Sequence, residues 1–155
     1  MQPQSEIRLA LVVAEFNSEL TEKMLKQALK SSTELDALVT YVCKVPGSFD
    51  IPLTVQTLLK KDDVDAVATL GAIVQGETKH DEVIAYALTE KIADLSLRYG
   101  KPVALGVAGP GMTWEQAEAR IEEYSARSVS AAVKMALRQR ELEKPARSAY
   151  PVVIE

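Results

Sequence analysis

Four stretches of strand length, each almost wholly apolar, are separated by segments with helical spacing, and that alternation leaves few folds open. The runs are 7–14 (IRLALVVA), 37–43 (ALVTYVC), 64–71 (VDAVATLG) and 102–107 (PVALGV), the last being the shortest and weakest. A run without polar alternation predicts a strand covered on both faces, as in a parallel sheet. Between the runs, spacing predicts a helix over about 18–32, with Leu20, Met24, Leu25, Ala28 and Leu29 on one stripe and Ser18 as its N-cap. A short helix over about 51–61 has Pro52 in its first turn, and a third over 81–99 stops at Gly100 ahead of Pro102. Beyond the fourth run, Thr113 and Gln116 have capping-box spacing, and a helix without Gly or Pro continues to about Leu142. Right-handed crossovers then give an α/β three-layer sandwich around a four-stranded parallel sheet, with the flavodoxin-like order 2-1-3-4.

With 155 residues the chain fits one domain, 1–155, with a polar N-terminal arm over 1–6 and a tail over 143–155 where the helical pattern is lost. Aromatics are only 5% of residues, so the core must be aliphatic. The net charge of -4 argues against nucleic acid, whose phosphates require a clustered basic surface. Cys43 is the only cysteine and His80 the only histidine, which leaves no disulfide and no thiolate or histidine metal cluster within a chain. No apolar run approaches the roughly 18 residues of a membrane span and no leader is visible, so a cytoplasmic protein with no membrane association is expected.

Open parallel sheets bind ligands beyond the carboxyl ends of their strands. The first run is followed by Glu15, Phe16 and Asn17, the second by a Pro46-Gly47 turn carrying Ser48, Phe49 and Asp50. The fourth is followed by Gly109, Pro110 and Gly111, and the third by a loop from Gly71 through Gly76 to His80. In that loop, free amides at the start of the third helix make an anion site. Gly71, Gly76 and Thr78 meet part of a P-loop pattern, but Glu77 stands at the lysine position and would repel nucleotide phosphates. His80 has the one side chain whose unperturbed titration lies near neutrality, and its place at the anion loop points to acid/base work, although a solvated helix-end histidine would look the same. Phe16 and Phe49 fit strand-end core filling as well as ligand stacking, and Asp50 fits a helix cap. Arg120, among Glu118, Glu122 and Glu123, also fits a solvated helix face.

Taken together, these motifs resemble the lumazine synthase family, in particular its archaeal-type members. The segments carrying the likeness are 12–17 (VVAEFN), 45–53 (VPGSFDIPL), 65–67 (DAV), 70–71 (LG), 76–82 (GETKHDE), 101–103 (KPV) and 109–113 (GPGMT), in the family's order. The resemblance implies condensation of 5-amino-6-ribitylaminouracil with 3,4-dihydroxy-2-butanone 4-phosphate to 6,7-dimethyl-8-ribityllumazine, phosphate and water, in riboflavin biosynthesis and without cofactor or metal. It implies that Phe16 stacks on the pyrimidine while Ser48, Phe49 and Asp50 meet the ribityl chain and ring. Ala72, Ile73 and Val74 would contact the pyrimidine edge through main-chain groups, Glu77 and Thr78 would offer amides to the phosphate, and His80 would move protons. Leu105 and Arg120 would come from an adjacent subunit of a homopentamer, twelve of which can close an icosahedral shell, with Arg120 on the phosphate.

Two departures accompany the likeness: Leu105 stands where many members have an aromatic, and Arg127 is the only cation in a window where many carry a second phosphate-binding one. An archaeal-type riboflavin synthase paralogue is the alternative within the fold. A non-catalytic flavodoxin-like flavin-binding module, which would share the strand order, is the alternative from a different functional class, although Glu15, Phe16 and Asn17 supply neither a phosphate loop nor a phosphorylatable acidic pocket. The apolar face of the last helix, with Ala119, Val129, Ala132, Val133, Ala136 and Leu137, suits packing between subunits, or else the chain's own core.

Overall fold

Because side chains alternate along a strand, each apolar run feeds two separate cores, one on each face of the sheet. The computed structural model describes residues 6–146 and 148–155; residues 1–5 of the expected arm and Arg147 of the tail lie outside the described residues. The elements are β1 (Arg8–Ala14), α1 (Ser18–Glu34), β2 (Leu38–Val45), a 3₁₀ turn (Ser48–Asp50), α2 (Ile51–Leu59), β3 (Ala66–Val74), α3 (His80–Tyr99), β4 (Val103–Met112) and α4 (Trp114–Leu142). All neighbouring strands are parallel, in the expected order β2-β1-β3-β4.

From β1, Leu9, Leu11 and Val13 pack with Leu20 and Met24 of α1 and Ile121 and Val133 of α4. Their neighbours Ala10, Val12 and Ala14 pack on the opposite face with Val55 and Leu59 of α2 and Leu88 and Ile92 of α3. Each large aliphatic residue so buried contributes about 1.5–3 kcal/mol, which is why β1 has no polar alternation. The α4 helix lies close to the sheet through small residues. A Cβ on Gly106 would sit 2.3 Å from the Thr69 carbonyl oxygen and 2.6 Å from Ser128 Cβ. Buried Ser128 donates to the Thr69 carbonyl at 3.3 Å, and buried Ser125 donates to the Met24 carbonyl at 2.5 Å.

At the amino ends of the strands, Asp65 ties three elements together. It accepts from the Arg8 backbone N–H at 2.7 Å and the Arg8 Nε at 3.0 Å, and pairs with Arg140 of α4 at 3.2 Å. Burial alone would push the Asp65 carboxyl up, but the Arg8 hydrogen bonds and the Arg8 and Arg140 charges outweigh it and hold the carboxyl below its ordinary value.

Several expectations are corrected. The β4 strand is not short: it continues through Gly109 and Gly111, whose φ of 105° and 73° suit glycine, and Met112 pairs with Val74 beyond a register shift. The β2 strand is not covered on both faces, since it is an edge strand with Leu38 and Val42 exposed, and Thr40 is the extra residue of a bulge against Leu9 and Ala10. Asn17, not Ser18, is the N-cap of α1, and Asp50 makes no side-chain cap to α2. On α4, Val129, Ala132, Val133 and Ala136 are buried in the chain's own core with Leu137 packed against them, while Ala119 is exposed, so that face is spent within the chain.

Candidate active site

Pairing between β1 and β2 continues beyond Ala14, because Glu15 N–H donates to the Val45 carbonyl at 2.7 Å and Phe16 N–H to the Pro46 carbonyl at 3.0 Å. Phe16 is thereby held at the carboxyl edge of the sheet and is 72% exposed, which removes core filling as an explanation for it. Asn17 follows at φ 60°, a left-handed conformation that asparagine tolerates, and its Nδ2 donates to the Ala72 carbonyl at 2.8 Å. One side chain thus locks the loop after β1 to the end of β3.

After β2 the chain closes on itself. Gly47 N–H donates to Asp50 Oδ2 at 3.0 Å and Asp50 N–H donates to the Gly47 carbonyl at 3.0 Å. The turn presents Phe49, 68% exposed, and buries Ser48, whose Oγ lies 2.8 Å from where a Cβ on Gly71 would be. Glycine at 71 leaves room for the turn to sit on β3.

At the end of β3, Ala72, Ile73 and Val74 wall a cavity of about 420 Å³, also lined by Phe16, Asn17, Gly47, Ser48, Phe49, Gly76, Thr78, His80, Asp81 and Ile84. The N–H groups of Gly76, Glu77, Thr78 and Lys79 find no acceptor among the described residues, and Lys79, the N-cap of α3, makes no side-chain cap. His80 N–H makes only a long contact of 3.4 Å to Thr78 Oγ1. Unpaired amides at the positive end of a helix of 20 residues form an anion-binding array. His80, the first residue of α3, is exposed beside that array. An apolar wall, two rim aromatics, free amides and one imidazole can hold a flat ring against an anion and exchange protons with what lies between.

Of the residues singled out in the sequence, Phe16, Ser48, Phe49, Ala72, Ile73, Val74, Thr78 and His80 line this one cavity. Asp50, Glu77, Leu105 and Arg120 do not. The Asp50 carboxylate is engaged by its own turn, and Glu77 is exposed on the loop. Leu105 is 45% exposed on β4 opposite Thr69, and Arg120 is exposed on α4. Besides Gly76 of the expected anion loop, the cavity adds Asn17, Gly47, Asp81 and Ile84, which sequence reasoning did not single out as site residues. Ile84 carried a usable signal, since it stands four residues after His80 and so on the same helical face. Asp81 did not, because its role depends on β4: it is 7% exposed, and its Oδ2 accepts from Gly111 N–H at 3.1 Å. Among the described residues no group of three or more His, Cys, Asp or Glu could hold a metal ion, and no helix is long and apolar enough to cross a membrane.

Residues 6–140 match the model of a protein family described as 6,7-dimethyl-8-ribityllumazine synthase. A 6,7-dimethyl-8-ribityllumazine synthase of Metallosphaera sedula is 56% identical over 138 residues, covering 89% of this chain and 91% of that protein. One of Saccharolobus solfataricus is 51% identical over 155 residues, the whole of both chains, and one of Sulfolobus acidocaldarius is 51% identical over 144 residues, 93% of this chain and 91% of that one. The order of strands, the cavity at their carboxyl ends and these likenesses agree, and the chain belongs to the 6,7-dimethyl-8-ribityllumazine synthase family.

Proposed function

We propose that this cavity condenses 5-amino-6-ribitylaminouracil with 3,4-dihydroxy-2-butanone 4-phosphate to 6,7-dimethyl-8-ribityllumazine, phosphate and water. The observation that carries the reading is the convergence of Phe16, Phe49, Gly76 and Thr78 of the anion loop, and His80 on one cavity. Phe16 stacks on the pyrimidine, Ser48 and Phe49 meet its ribityl chain and ring while Asp50 holds the turn that presents them, and the main chain of Ala72, Ile73 and Val74 reads its edge. The amides of Glu77 and Thr78 receive the phosphate. The substrate amine attacks the ketone to form an imine with loss of water, phosphate leaves, and tautomerisation, ring closure and dehydration follow. Both reactants are intrinsically reactive, so the enzyme contributes mainly proximity and orientation, with His80 shuttling protons. No step requires a cofactor or metal.

Leu105 and Arg120 act on the cavity of an adjacent subunit in a homo-oligomer, a pentamer or a shell of pentamers. Their exposure and their absence from the cavity of their own chain support that reading. We place the enzyme in the cytoplasm and read 1–155 as a single domain.

The test is incubation with both reactants. The absorbance of the lumazine must appear, and only when both are present. If 6,7-dimethyl-8-ribityllumazine alone is converted to riboflavin, the paralogous riboflavin synthase activity is the correct one. Bound flavin without turnover of the two precursors would instead indicate a binding module.

A further inference from the structure

We infer that Asp81 is a positioning residue of this site, one that clamps the anion loop and His80 against the end of β4; the inference rests on the function proposed above. Asp81 is the only charged side chain buried among the described residues, at 7% exposure. Burying a carboxylate is unfavourable unless hydrogen bonds and local charge compensate. Here the first turn of α3 supplies the positive end of a helix, and Gly111 supplies an N–H at 3.1 Å. The other end of the same loop is held too, because Gln75 N–H donates to the Met112 carbonyl at 2.7 Å. Residues 76–79, all exposed and with amides that find no acceptor among the described residues, are therefore bracketed by two hydrogen bonds to adjacent residues of β4. The Gln75 bond is backbone to backbone. The Asp81 bond is made by a side chain, and it is immediately adjacent to His80.

A clamp of this kind acts through geometry, since catalysis by orientation is sensitive to displacements of about an ångström. Asp81→Ala should lower kcat by about tenfold or more and raise the KM for the phosphorylated ketone, with the KM for the pyrimidine within about twofold of wild type. Asp81→Asn, whose amide oxygen accepts the same N–H, should restore kcat to within about threefold. Hydrogen exchange at the bonded Gly111 and Gln75 amides should quicken in the alanine variant and not in the asparagine one. Asp81→Glu keeps the charge but displaces the acceptor, and should loosen the loop as alanine does; it decides the matter if the alanine variant does not fold. The inference is overturned if asparagine is as damaging as alanine, if alanine changes neither kinetics nor exchange, or if both KM values rise together. Failure of the wild type to condense the two reactants would refute the proposed function instead, while the exchange measurement would still report on the clamp.

Discussion

Phe16→Ala separates ligand stacking from folding, because the structure makes the two contributions very unequal. With 72% of the residue exposed, only about a quarter of a full phenylalanine burial is lost on truncation, under about 1 kcal/mol of folding stability. Stacking of an aromatic ring on a base-like ligand is larger, about 1–3 kcal/mol. At about 1.4 kcal/mol for each factor of ten, the pyrimidine reactant should bind roughly 5- to 150-fold more weakly. Calorimetric titration of the pyrimidine in the absence of the ketone measures this directly, and a thermal melt of the same sample measures the folding term. Phe16→Trp should keep most of the affinity, since the loop is fixed by backbone bonds from Glu15 and Phe16 to Val45 and Pro46 and the ring projects beyond them. A lowered melting temperature with unchanged affinity would refute the reasoning and return Phe16 to a packing role.

His80→Ala and Arg120→Ala variants, each inactive or nearly so, should regain activity when unfolded and reassembled together, reaching about a quarter of wild type if adjacent subunits mix at random; no recovery would argue that both residues serve one chain's cavity. Asp65→Asn should flatten the acid limb of stability measured by urea unfolding across pH. The Asp65 carboxyl titrates lower when folded, so its contribution is complete above the ordinary carboxylate range, near pH ~4, and disappears as pH falls through the folded value. Parallel curves for wild type and variant would count against the Arg8–Asp65–Arg140 link. Gly106→Ala should lower the urea midpoint by an amount equivalent to about 1–3 kcal/mol, because its Cβ meets a backbone oxygen at 2.3 Å and Ser128 cannot withdraw without moving α4. A midpoint within error of wild type would mean that β4 and α4 separate at little cost.

The alternation of strands and helices, the parallel sheet and the loops that build the cavity were legible in the sequence, because burial on both faces removes polar residues from a strand and because Gly100 and the Thr113–Gln116 pair are local stop and start signals. His80 stood out for a local reason too, as the one histidine at the end of a glycine-flanked loop. What depended on partners was not legible. Gly109, Pro110 and Gly111 look like loop in isolation, and become strand because β3 extends to Val74 alongside them. The exposure of Leu38 and Val42 follows from β2 lying at an edge, which its own composition does not mark. Asn17 reaches the Ala72 carbonyl and Asp81 reaches Gly111 across sequence separations of 55 and 30 residues. Periodicity records which face of an element is buried, whereas a hydrogen bond between loops needs both ends in place, and only the assembled sheet brings those ends within 3 Å or so of each other.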